Sequence, residues 1–301
     1  MQLIREFRLD PERRQLMRRA LWITFLGNLG LAAGKAVAAR LSGSVALYAD
    51  AANSISDVLY SLAIVLGLWL AQRPPDLSHP QGHGRYEPLA GLVVAAAMTL
   101  AAYEAGQTAI QRLVEGGAEL SLGWPTVALL LSAIVKAGMF ALIHRIAALT
   151  RSSTLDATAK DNLADVLTSL AAFLGILGSQ LIHPMADAVA GILVALWILR
   201  SALGVWQANL RYLTGGGASA ELRTAIVDAA RGVPGVRSVH QILTEHVGPE
   251  LVADLHINVD GNMPLFHSHG ISDEVRVRVE SLPGIDRAYV HAEPFEATPR
   301  R

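Results

Sequence analysis

Apolar stretches run over 20–39, 44–71, 88–114, 122–149, 162–182 and 186–208. Each is long enough to cross a ~30 Å hydrocarbon core as a helix. The pattern changes after Arg211, through the flexible run Thr214-Gly215-Gly216-Gly217, into a segment with the mixed character of a soluble domain. There the periodicity predicts a helix over 219–232, strands over 236–247 and 251–259, a helix over 268–282 and a strand over 286–293. Within the second strand, Leu255, Ile257 and Val259 fall on one face and Asp254, His256, Asn258 and Asp260 on the other. The pattern therefore predicts a multi-pass α-helical membrane protein with six transmembrane helices and a small α+β domain. Its expected parts are an N-terminal segment 1–19, a six-helix domain 20–211, a hinge 212–217 and a C-terminal domain 218–301.

Composition agrees with that pattern. Charged residues make up 17% of the chain, against roughly 25% in soluble proteins, too few to cover a soluble surface of this size. A net charge of -1 argues against a nucleic-acid partner, which demands an excess of Lys and Arg. With no cysteine, disulfides, thiolate nucleophiles and cysteine metal sites are excluded, so any metal must be held by nitrogen and oxygen. Arg5, Arg8, Arg13, Arg14, Arg18 and Arg19 precede the first span with no evident cleavage site, so that helix is expected to be retained. Arg73, Arg85, Arg145 and Arg151 mark two further loops, whereas Ile182-His183-Pro184 carries no cation other than its histidine. By the positive-inside rule, both termini are expected in the cytoplasm of a cell (inner) membrane protein.

The apolar spans contain charges that demand a reason. Asn53 and Asp57 in the second span, and Asp161 and Asp165 in the fifth, are spaced i and i+4, so each pair projects from one helix face. A carboxylate inside a membrane costs several kcal/mol unless paired, hydrated or metal-bound. Three carboxylates and an amide oxygen would give a divalent cation four hard ligands. The competing role for such residues is hydrogen-bonded helix packing. All three lysines, Lys35, Lys136 and Lys160, lie in or beside spans. The first two are expected to be structural, and Lys160 could offset charge at Asp161.

Three features together resemble the cation diffusion facilitator family. They are Gly43-Ser44-Val45-Ala46-Leu47 leading into Asn53/Asp57, the loop His79-Pro80-Gln81-Gly82-His83-Gly84-Arg85, and Asp161/Asp165. The resemblance covers nearly the whole chain. It implies a homodimeric, proton-coupled exporter of divalent metal ions from the cytoplasm, with six helices and a cytoplasmic ferredoxin-like, metallochaperone-like domain. It assigns Asn53, Asp57, Asp161 and Asp165 to the transport site. Zinc members similar to this chain usually carry His or Asp at position 53 and His at position 161. The Asn/Asp plus Asp/Asp set looks like the manganese-exporting branch, and oxygen-only ligation suits Mn2+ better than Zn2+. Fe2+, then Zn2+ or Co2+, are the alternative cargoes.

The same resemblance implies a loop metal site at Asp76, His79 and His83, and a C-terminal dinuclear site at His240, His256, His269, His291 and Glu293. Strand alternation independently places His291 and Glu293 on one face. The alternatives are histidines that cap a turn in the loop and a solvated polar sheet face in the domain. His267 is a further candidate and His246 a bystander. No resident cofactor is expected beyond the divalent metal itself, and the partners are the lipid bilayer, a second copy, metal ions and protons. Without a His-Glu-x-x-His helix or an evident Ser or Cys nucleophile with a base, an intramembrane hydrolase is not expected. A membrane metal sensor or scaffold is the competing class.

Overall fold

The computed structural model describes residues 11–42, 45–116 and 124–295. Gly43 and Ser44 lie outside the described residues, as do the side chains of Ala39, residues 41–53, Ser56, Trp124, Pro125, Ile176, Gln180 and Asp187. The chain divides into two compact units between Leu210 and Arg211.

The first unit is built from α1 (Pro11–Ser42), α2 (Val45–Ala71), α3 (Tyr86–Val114), α4 (Trp124–Thr150), α5 (Ser153–Leu181) and α6 (Ala186–Leu213). Five carry a stretch long and apolar enough to cross a membrane, and α2 adds a shorter one, Asp57–Ala71, among its described residues. The unit is multi-pass, and its surface is inverted relative to a soluble bundle. Leu59, Leu66, Ile134, Leu149, Leu174 and Leu193 point outward, where lipid tails solvate them. Inside, Ala20, Ala95, Ala157, Ala159, Ala164 and Ala202 form much of the core, and small residues there let helix backbones approach closely. Gly67 of α2 meets the Ala90 methyl of α3 so closely that an added Cβ would collide with it.

Two helices start well before their apolar stretches. Pro11 opens α1, a position where the missing N–H is no loss, and Arg13, Arg14, Arg18 and Arg19 lie within the helix, while Arg5 and Arg8 lie outside the described residues. Near its start, Arg13 Nε donates to the Thr150 carbonyl at 3.0 Å, which brings the N-terminus of α1 beside the C-terminus of α4. At α5, Ser152 Oγ accepts the Leu155 N–H, satisfying an orphan donor. This cap begins the helix at Ser153, so its first turns are polar and hold an ion pair, Lys160 Nζ to Asp156 Oδ2 at 2.8 Å. Lys160 is thus engaged by Asp156, one turn back.

In the second unit, α7 (Ala220–Arg231) and α8 (Leu265–Glu280) accompany a sheet ordered β1-β2-β3, from β1 (Ser238–Val247), β2 (Glu250–Val259) and β3 (Ile285–Pro294). The β1–β2 pair is antiparallel, and β2–β3 is parallel with α8 as the crossover. Along β2, burial alternates at every residue, with Leu251, Leu255, Ile257 and Val259 packed on Ile226, Val275 and Val279. The helix begins at Leu265, earlier than position 268, because Pro264 stands at its N-cap with extended backbone and launches the first turn directly.

Candidate metal centres

Within the first unit, α2 contributes Asp57 and α5 contributes Asp161 and Asp165, as their i, i+4 spacings allow. What lies between them is a side chain from α4. Over Thr126–Ile143 the only ionisable residue is Lys136, and its ammonium reaches Asp165 Oδ2 at 2.7 Å and Asp57 Oδ2 at 3.2 Å. Lys136 is buried at 5% exposure, so its ammonium depends on the two partly exposed acids, Asp57 and Asp165, for its partners. Asp161 lies within electrostatic range of Lys136, Asp57 and Asp165 but makes no such contact. The Asn53 side chain lies outside the described residues. Behind Asp57, its carbonyl accepts from Ser61 Oγ at 2.7 Å, and Asn28 Nδ2 donates to that hydroxyl at 2.7 Å. This chain of bonds fixes the α2 turn that carries Asp57 against α1. The expectation that Lys136 is structural is compatible with these ion pairs, and its isolation in an apolar stretch is the sequence signal that it needs a charged partner.

A second group lies in the α2–α3 loop. Ligand atoms of Asp76, His79 and His83 lie within 4.8 Å of one another. The His79 backbone N–H donates to Asp76 Oδ1 at 2.7 Å, and Gly82 takes a positive φ of 93°, so the loop curls back to aim both imidazoles at the acid. His83 Nδ1 faces the Pro74 carbonyl at 3.1 Å, leaving Nε2 towards Asp76 at 3.4 Å. A carbonyl held by Nδ1–H fixes the tautomer and frees Nε2 for a metal. That same His79 amide bond, aided by the two imidazoles, holds the Asp76 carboxyl below the ordinary aspartate range.

The third group is in the second unit. His240, His256 and Glu293 bring ligand atoms within 4.8 Å. Parallel register sets His256 opposite His291 and Asn258 opposite Glu293, so these polar positions share a face. On β1 the register shifts between Val239 and Gln241. This bulge interrupts the alternation at His240 and lets its ring meet that of His256 at 5.6 Å. Glu293 is the hub, 2.9 Å from His256 Nδ1, 3.4 Å from His240 Nε2 and 3.6 Å from His291 Nε2. His269 is placed elsewhere, on α8 at 3.5 Å from Asp273. His267 is also on α8, beside Phe266, and among the described residues it joins neither group. His246 stacks edge-on against Tyr212, and burial holds its imidazole below the ordinary value.

Hydrogen bonding from His256, with the charges of His240, His256 and His291 behind it, holds the Glu293 carboxyl below the ordinary glutamate range. Its contribution to domain stability is therefore present above that range and is lost as pH falls through the lower folded value. Glu293→Gln is expected to weaken metal binding at this cluster by about tenfold or more. Calorimetric metal titration of the full chain would show it, and unchanged affinity would remove Glu293 from the ligand set.

Comparison with known proteins gives the family of the chain. Residues 21–214 match the cation efflux transmembrane domain, and residues 218–295 match the cytoplasmic domain of cation efflux proteins. The chain belongs to the cation diffusion facilitator family. It is 33% identical over 276 residues to an uncharacterized transporter of Methanocaldococcus jannaschii, covering 91% of this chain and 97% of the relative. It is 27% identical to the manganese efflux system protein MneS of Bacillus subtilis, covering 91% of this chain and 94% of that one. A solved variant of MamM-CTD is 31% identical and covers 26% of this chain and 100% of that one, with a TM-score of 0.26. This facilitator is thus a membrane transporter of metal cations with two domains typical of its family, and among the described residues two groups, Asp76/His79/His83 and His240/His256/Glu293, bring three ligand atoms together.

Proposed function

We propose that this facilitator exports Mn2+ from the cytoplasm in exchange for protons, through a site made by Asn53, Asp57, Asp161 and Asp165. One observation carries the reading. Carboxylates from two different helices converge on a buried cation, with no imidazole beside them among the described residues. A pair of anions arranged around an ammonium is also arranged around a metal ion, and oxygen donors suit a hard cation such as manganese. Similarity to a relative named for manganese efflux supports the same cargo.

Mn2+ enters from the cytoplasm and displaces the Lys136 ammonium from between Asp57 and Asp165. The bundle then rocks to face outward, and the ion leaves. Three carboxylates in a poorly hydrated site cannot all remain ionised without a compensating cation. Lys136 supplies one charge, and protons supply the rest on the return step. Exchange of metal for protons follows from that balance. Both termini face the cytoplasm of the cell membrane, the boundary between membrane and soluble parts lies at 212–217, and the C-terminal domain pairs with that of a second copy. The loop and C-terminal groups bind regulatory metal.

The test is uptake into proteoliposomes with Mn2+, Fe2+, Zn2+ and Co2+ under an imposed pH gradient. Mn2+ flux should respond to the gradient and exceed the others. Flux indifferent to the gradient would rule out antiport, and equal flux of Zn2+ would rule out oxygen-only selectivity. Asn53→His combined with Asp161→His should move preference towards Zn2+.

A further inference from the structure

Between α1 and α2 runs a groove of 590 Å³ that no metal chemistry explains. Its walls are Leu21, Trp22 and Phe25 from α1 and Leu62, Leu66 and Trp69 from α2. These positions repeat at helical spacing, so one face of each helix is committed to it. At one end the lining turns cationic, with Arg14 and Arg18 one turn apart on α1 and Arg73 just beyond α2. Among the described residues, no aspartate or glutamate lines the groove. Arg14 and Arg18 are exposed, and Arg73 lies 4.0 Å over the Trp69 ring, which orients its guanidinium without neutralising it.

Depth agrees with the membrane. From Arg14 to Phe25 the helix rises roughly 16 Å at ~1.5 Å per residue, about half of a ~30 Å hydrocarbon core. The cationic end therefore sits at headgroup level when the far end reaches the bilayer midplane. Trp69, one turn from Arg73, falls towards the polar boundary, where indoles partition, while Trp22, two turns past Arg14, lines the deeper apolar part.

We propose that this groove binds one anionic phospholipid, its phosphate held by Arg14, Arg18 and Arg73 and an acyl chain laid between α1 and α2. A zwitterionic lipid brings its own cation to three arginines and is disfavoured. A free phosphate compound fills only the cationic end and leaves the apolar walls unused. Lipid here would tie α1 to α2, the helix that carries Asp57.

Native mass spectrometry of the full chain, released from nanodiscs of mixed phosphatidylglycerol and phosphatidylcholine with matched acyl chains, reads the site directly. Wild type should retain one phosphatidylglycerol in preference to phosphatidylcholine by about tenfold or more. Arg14→Gln/Arg18→Gln/Arg73→Gln should lose that preference, whereas Arg19→Gln/Arg145→Gln/Arg151→Gln, an equal loss of charge outside the groove, should keep it. Circular dichroism would confirm that both triple variants retain wild-type helicity. Equal retention of both lipids, or equal loss in both variants, would overturn the proposal. So would displacement of the lipid by millimolar glycerol phosphate, which would make the cationic end a soluble-phosphate site. Retention only after deletion of residues 1–10 would assign the groove to that segment and overturn it too. None of these outcomes depends on which metal is carried.

Discussion

Asp57→Asn and Asp165→Asn will each lower Mn2+ flux in proteoliposomes by about 100-fold or more. The amide preserves the volume of the carboxylate and removes one formal charge. At an effective dielectric near 20, a unit charge ~4 Å from a divalent ion is worth on the order of several kcal/mol, enough for that loss. Both acids face the same ammonium, Asp165 at 2.7 Å and Asp57 at 3.2 Å, so the two losses should be far from additive. Asp161→Asn should also slow transport while leaving the Lys136 bridge in place. Asp156→Asn, which breaks only the Lys160 pair, should leave flux within about twofold of wild type. Near-normal flux in Asp57→Asn would show that the intramembrane acids serve packing, and a metal sensor or scaffold would then be the better reading.

The spacing of Asn53, Asp57, Asp161 and Asp165 was legible because an i, i+4 pair faces one way on any helix, whatever surrounds it. The same holds for β2, whose buried and polar faces alternate as the sequence does. Legibility fails where the answer lies between elements. Lys136 is 79 positions from Asp57, and no periodicity says that α4 delivers its ammonium to acids on α2 and α5. His240 joins the Glu293 cluster through a register shift on β1, which a strict alternation cannot foresee. His269 was expected at that cluster from resemblance, yet one helical turn from Asp273 it has a local partner on α8. Helix starts were missed for another reason. Apolar stretches mark where lipid begins, whereas Pro11 and Ser152 mark where the backbone hydrogen bonds begin.

Lys136→Met will destabilise the metal-free protein and tighten its hold on Mn2+. Removing one partner from a fully buried pair costs about 3–5 kcal/mol, and because Asp57 and Asp165 keep partial exposure the loss here should fall below that range. Asp57 and Asp165 would face each other without a cation, and thermal unfolding of the full chain in detergent should fall accordingly. Added Mn2+ replaces the missing charge, so the variant should recover more stability per equivalent of metal than wild type does. The metal also meets no tethered competitor, and its apparent affinity should rise by about tenfold or more. Turnover should nevertheless fall, since no ammonium is left to take the ion's place as it departs. Lys136→Arg keeps the charge but replaces a compact ammonium with a broad planar fork; it should retain stability and still transport poorly. If Lys136→Met instead binds Mn2+ more weakly than wild type, the ammonium positions the carboxylates for the metal, and displacement is not part of the cycle.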